Sequence, residues 1–112
     1  MNLKNEVFEM KKDITFNYYS VQGWMVKDLN LKGNELAVFA IIYGFSQDNE
    51  TWFTGSLNYL CEWLTTSRPT TIEILKKLVN KNLLIKESYF INNIKFARYK
   101  INTEYVLKLR NL

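Results

Sequence analysis

Residues 65–87 read TTSRPTTIEILKKLVNKNLLIKE: a polar turn, then a helix, then an apolar strand. Ser67 is well typed to cap a helix, since its hydroxyl can accept from an N–H left unpaired in the first turn. Pro69 fits that same turn, where its missing N–H is not needed. From there the spacing predicts a helix over about 67–81. At 100° per residue Thr71, Ile74, Leu75 and Leu78 fall on one stripe, with Asn82 aligned at its end. That stripe faces a core. Pro69, Thr70, Glu73, Lys76, Lys77 and Asn80 lie opposite, with Arg68 and Ile72 at the flank. Asn82 stands where a helix end wants the left-handed region, which asparagine tolerates well.

Working outward, LLIKESYFI and IKFARYKI flank Asn92-Asn93, a pair suited to the positive φ of a tight hairpin turn. With those two at the centre, Ile91 faces Ile94, Tyr89 faces Phe96, Glu87 faces Arg98 and Ile85 faces Lys100. The opposite charges of Glu87 and Arg98 favour this register. The second strand does not alternate cleanly around Phe96 and Ala97, which leaves a bulge or a shifted register open. Upstream, Ser56 caps a helix whose apolar stripe is Leu57, Leu60, Cys61 and Leu64, and TTS at 65–67 is a three-residue turn. Before it, TWF at 51–53 is a short strand candidate after the polar loop SQDNE. GNELAVFAIIYGFS at 33–46 is helical and apolar nearly all round, which predicts a central buried helix. TFNYYSV at 15–21 alternates and reads as a strand or extended segment, followed by Trp24, Met25 and Leu29 as apolar anchors. Leu3, Val7, Met10 and Ile14 suggest a short amphipathic arm.

No repeat, low-complexity tract or linker divides the chain, so the expectation is an arm over 1–14 and one domain over 15–112. With 112 residues, 47% of them hydrophobic, the chain can bury one core. Charge is uneven. Residues 1–64 carry five Lys/Arg against eight Asp/Glu, whereas residues 65–112 carry ten against three. A basic half beside an acidic one suits a polyanion-binding surface. Cys61 stands alone and there is no histidine, so neither an intramolecular disulfide nor a zinc ligand set is available. With no base to activate it, Cys61 reads as a packed small hydrophobe and Ser56 as a cap. No glycine-rich phosphate loop or apolar carboxylate pair appears, so an enzyme is not expected, nor a cofactor. No apolar run reaches the roughly 18–20 residues that span a bilayer, and the charged start MNLKNEVFEMKKD does not suit a signal peptide. A cytoplasmic protein with no membrane partner is expected, which makes the Asn49 sequon irrelevant.

The element order, buried helix, short strand, helix, turn, basic helix and hairpin, resembles a winged helix-turn-helix of the α+β class, with a three-helix core and a small hairpin wing. Ser67, Thr70, Leu75, Lys76, Lys77, Leu78, Lys81, Leu83 and Leu84 match the winged-helix signature. Thr71 stands where valine is usual there and Asn82 where glycine is usual. VQGWMVKDLNLKGNELAVFAIIYGFSQDNETWFTGSLNYLCEWL at 21–64 is similar to the N-terminal helix-turn-helix domains of replication initiator and replisome-organiser proteins of Gram-positive plasmids and phages. The resemblance implies sequence-specific binding of double-stranded DNA, in replication initiation or in transcription control of a mobile element. The helix at 67–81 would enter the major groove and the hairpin at about 83–101 would lie along the neighbouring phosphates or minor groove. Candidate contacts are Ser67, Arg68, Thr70, Thr71, Glu73, Lys76 and Lys77 on the helix, and Lys86, Lys95 and Arg98 on the hairpin. Arg68 and Thr70 suit base edges and the lysines suit phosphates, while Glu73 either accepts from a cytosine amine or repels the backbone. A homodimer is expected, and replication proteins are further candidate partners. The alternative is an adaptor or inhibitor that docks on another protein without DNA, through the arm, Tyr18, Tyr19, Trp24 and Trp63.

Overall fold

The computed structural model describes residues 14–46 and 51–112. A single 3-10 turn at Ile14–Phe16 leads into extended chain and then α1 (Gly23–Lys27), α2 (Gly33–Phe45), α3 (Leu57–Leu64), α4 (Arg68–Asn80), β1 (Leu84–Ile91), β2 (Ile94–Ile101) and α5 (Thr103–Leu109). Helix α2 is central, as its composition requires: Val38, Phe39, Ala40, Ile41 and Ile42 are all buried. Helix α4 packs on α2 and α3 through Thr71, Ile74, Leu75 and Leu78, the stripe that its spacing predicts. Met25, Leu60, Leu83, Leu84, Ile101 and Val106 complete one contiguous core.

The two strands pair antiparallel without a bulge, from Leu84↔Ile101 through Glu87↔Arg98 to Ile91↔Ile94. The register is the one that the Asn92-Asn93 turn and the Glu87/Arg98 pair predict. Both turn residues have positive φ, as do Asn30 and Asn82. Asparagine thus takes the left-handed positions that other side chains resist. Phe53 adds one bridge to Tyr99, which is all that remains of the TWF strand. A Cβ on Gly55 would run into the Phe53 ring, so the loop can close over that bridge only with glycine there.

At both ends of the domain the structure adds to what the sequence predicts. Of the strand or extended segment expected for TFNYYSV, the strand is absent: beyond the 3-10 turn residues 17–22 form no helix or strand, and Tyr19 packs edge-on against Trp63 at 5.1 Å. The anchors Trp24, Met25 and Leu29 belong to a helix and its exit. Met25 and Leu29 are buried, and Trp24 sits edge-on against Phe39 and Tyr43. Helix α5 was not anticipated. Its cap is Asn102, whose Oδ1 accepts from Tyr105 N, and it delivers Val106 to the core and Arg110 to the Trp24 ring at 4.2 Å. The periodic arm Leu3, Val7 and Met10 lies outside the described residues, as do positions 47–50 of the polar loop.

Candidate nucleic-acid interface

The candidate interface is built on the α3-turn-α4 unit. Ser56 Oγ accepts from Tyr59 N at 3.1 Å and starts α3. At the other end Thr65 takes the left-handed conformation with φ 51°, a costly choice for a β-branched residue. That reversal aims the chain back across α3. Ser67 Oγ then accepts from Thr70 N at 3.3 Å and starts α4.

Thr71 fixes the angle between the two helices. Its Oγ1 donates to Ser67 O at 3.0 Å and meets Cys61 Sγ at 3.3 Å and Thr66 Oγ1 at 2.8 Å. One hydroxyl hydrogen and two lone pairs are all engaged, so the hydroxyl is saturated while fully buried. Thr71 is therefore not a contact residue, and its place in the candidate set is corrected: at 0% exposure it has no surface to offer. The same hub explains why threonine stands where valine is usual, since valine would strand the polar groups of Cys61 and Thr66. Cys61 is accordingly only half-buried and hydrogen-bonded, instead of sealed in the core.

The outer side of α4 is exposed from end to end: Arg68, Thr70, Ile72, Glu73, Lys76, Lys77 and Asn80. Arg68 Nη1 donates to Asn58 Oδ1 at 2.5 Å, so α3 holds the guanidinium at the start of α4. Thr70 Oγ1 receives the Ser67 hydroxyl at 3.0 Å, which leaves Ser67 occupied by its own helix end. Glu73 and Lys76 stand 3.5 Å apart, both well exposed, a pairing weak enough to yield to a ligand. Lys81 leaves this face: it meets Glu35 at 2.6 Å and ties the end of α4 to the start of α2.

Across from α4 stands the hairpin. Between them lies a groove of about 800 Å³ whose lining includes Arg68 and Ile72 from α4, Lys86, Lys95 and Arg98 from the strands, and Trp52. Four candidate cations thus share one groove, whereas Glu73, Lys76 and Lys77 lie outside it on the open side of α4. Arg98 pairs with Glu87 and lies 4.3 Å over the Trp52 ring, and Lys100 approaches the same ring at 4.7 Å. Trp52 and Asn58, which orient the two arginines, escaped the sequence reading. Their partners are 46 and 10 residues away, and no local pattern marks them. Burial pushes the Tyr99 hydroxyl above its usual pKa of 10.0, so the root of the hairpin stays uncharged there.

No described helix is long and apolar enough to cross a membrane. No curated protein matches the chain. Among solved structures it is similar to a "possible transcriptional regulator" from Methanosarcina mazei Go1, at 20% identity over 88% of this chain and 83% of that one, with a TM-score of 0.52, a likeness of fold. A family model described as a helix-turn-helix domain matches residues 29–84, half of the sequence, from the exit of α1 through α4 to the first residue of β1. The chain belongs to this helix-turn-helix domain family, a DNA-binding rather than an enzymatic class.

Proposed function

We propose that residues 15–112 form a winged helix-turn-helix module that reads double-stranded DNA sequence-specifically, with α4 in the major groove and β1–β2 as the wing. The observation that carries this is the shared groove: cations from the start of α4 and from both strands converge on one channel while the outer side of α4 stays open. A phosphate strand in that channel would meet Lys86, Lys95 and Arg98, and Lys76 and Lys77 would meet the far strand. Arg68, presented by Asn58, and Thr70 face base edges, with Ser67 in support and Glu73 suited to a cytosine amine.

The setting we propose is replication initiation or transcription control in a mobile element, in the cytoplasm, with replication proteins as further partners. Its support is the similarity of residues 21–64 to replication initiators of plasmids and phages. A homodimer would double the site length, and the exposed apolar surface of so small a domain supports it. The test is titration of a random duplex pool at several salt concentrations, followed by sequencing of the retained fraction. Affinity that falls steeply with salt and a recovered consensus support the reading, and an inverted repeat supports the dimer. Affinity for no duplex at low salt overturns it.

A second reading, a protein-docking adaptor or inhibitor, draws on Tyr18, which is 87% exposed. The other aromatics assigned to that surface, Tyr19, Trp24 and Trp63, are partly buried in contacts of their own. A partner retained by the chain without any DNA affinity favours it.

A further inference from the structure

The outer half of the hairpin is not built as an ordinary solvated loop. Phe90, Ile91 and Ile94 are 69%, 53% and 59% exposed around the Asn92-Asn93 turn. Strands of eight residues rise about 23 Å from first to last Cα. Leu84 and Ile101, at the root, are the only strand residues that are buried. The tip therefore stands clear of the described body, and the two-residue turn in full register makes it narrow and firm. Immediately behind it the chemistry changes. Phe90 pairs with Lys95 across the ladder, and by strand alternation Lys86 lies on the same face two side chains further back. Arg98 follows on the opposite face. An apolar point with cations set behind it suits a stacked base step flanked by two phosphates. A second copy of the chain would bring like charges together at the same place.

We propose that the tip of the wing, Ile91 and Ile94 with Phe90, is a wedge that enters a base step of the bound duplex and partly unstacks it, while Lys95 and Lys86 hold the adjoining phosphates. The amides of Asn92 and Asn93, at the apex, present donors for the acceptors on the groove floor. This rests on the DNA-binding reading above and adds to it a deformation of the DNA. Insertion of this kind kinks a duplex by about 20–90°.

The test uses the full chain and duplexes of the sequence selected from the random pool, carrying 2-aminopurine at successive positions, with donor and acceptor dyes on the ends. The expected result is a rise in 2-aminopurine fluorescence confined to one step, together with shortened end-to-end distance. Ile91→Ser with Ile94→Ser should abolish both signals and keep the melting temperature and the salt dependence of binding. Lys76→Ala with Lys77→Ala should weaken binding and, at saturating protein, keep both signals. Binding that leaves every probe stacked and the duplex straight overturns the wedge while the DNA reading stands. Failure to bind any duplex overturns both. Self-association in sedimentation that the serine variant abolishes, with unchanged DNA signals, overturns the wedge in favour of a second copy at the tip.

Discussion

Helix α4 and the β1–β2 hairpin both combine apolar with cationic residues and handle them in opposite ways. With a period of 3.6, α4 turns Ile74, Leu75 and Leu78 inward and leaves Lys76 and Lys77 outside, so that each residue either folds the domain or is free for a ligand. The hairpin is two strands wide and backed by the body only at its root. Alternation there has no second layer to bury either face against, and Ile85, Tyr89, Phe90, Ile91, Ile94 and Phe96 remain in solvent. The difference teaches that apolar residues mean stability in α4 but not in the outer hairpin, where their reason has to be sought in what the protein meets.

That contrast is open to attack, beginning with stability. Leu78→Ala, at a fully buried position on α4, should lower folding stability by about 2–5 kcal/mol in denaturant titration, whereas Ile94→Ala should leave the midpoint nearly unchanged. Equal losses would erase the distinction. Thr71→Val keeps the shape and removes the hub, stranding the polar groups of Cys61 and Thr66, and should cost about 1–3 kcal/mol. Neutral substitution there would show that the α3–α4 angle is set by apolar packing alone. Thr65→Gly should relieve the left-handed strain and raise stability by about 1 kcal/mol. On the outer side, Lys76→Ala and Lys77→Ala should leave melting unchanged and reduce the slope of log affinity against log salt by about 0.9 for each lost phosphate contact. The smallest effect concerns pH. Since burial raises the Tyr99 pKa, the unfolded chain ionises first near pH 10.0, and stability should fall as pH rises beyond that, less so in Tyr99→Phe. Identical alkaline midpoints in the two proteins would remove the burial argument for the hairpin root.

The unevenness extends to what could be read beforehand. The cap, stripe and end of α4 were legible because each depends on residues within one or two turns. So was the hairpin register, because two asparagines and one opposite-charge pair fix it locally. Helices α1 and α5, five and seven residues long, are too short for a period to show, and they exist because Met25 and Val106 fill the core. TFNYYSV left strand and extended segment open because its alternating aromatics suit either, and what holds Tyr19 is a ring on α3. On α4 the residues of the outer side were legible from the period. The hold of Asn58 on Arg68 and the stack of Trp52 on Arg98 were not, because both are tertiary contacts; for Thr71 the stripe foretold burial but not the hydrogen bonds that use up its hydroxyl.

The narrow root of the hairpin turns it into a lever. Leu84 and Ile101 form the fulcrum, the arm from them to the tip is about 23 Å long, and the Phe53 bridge to Tyr99 and the Trp52 stack on Arg98 brace its first half. A rotation of about 10° at that fulcrum carries the tip through about 4 Å, more than the rise of one base pair. On the DNA reading proposed above, where the wing would land along a duplex depends on the side chains that brace the hairpin root. On that reading a substitution at the buried Phe53 would shift the spacing between helix and wing on the DNA, a way of retuning a binding site without altering any residue proposed to contact it.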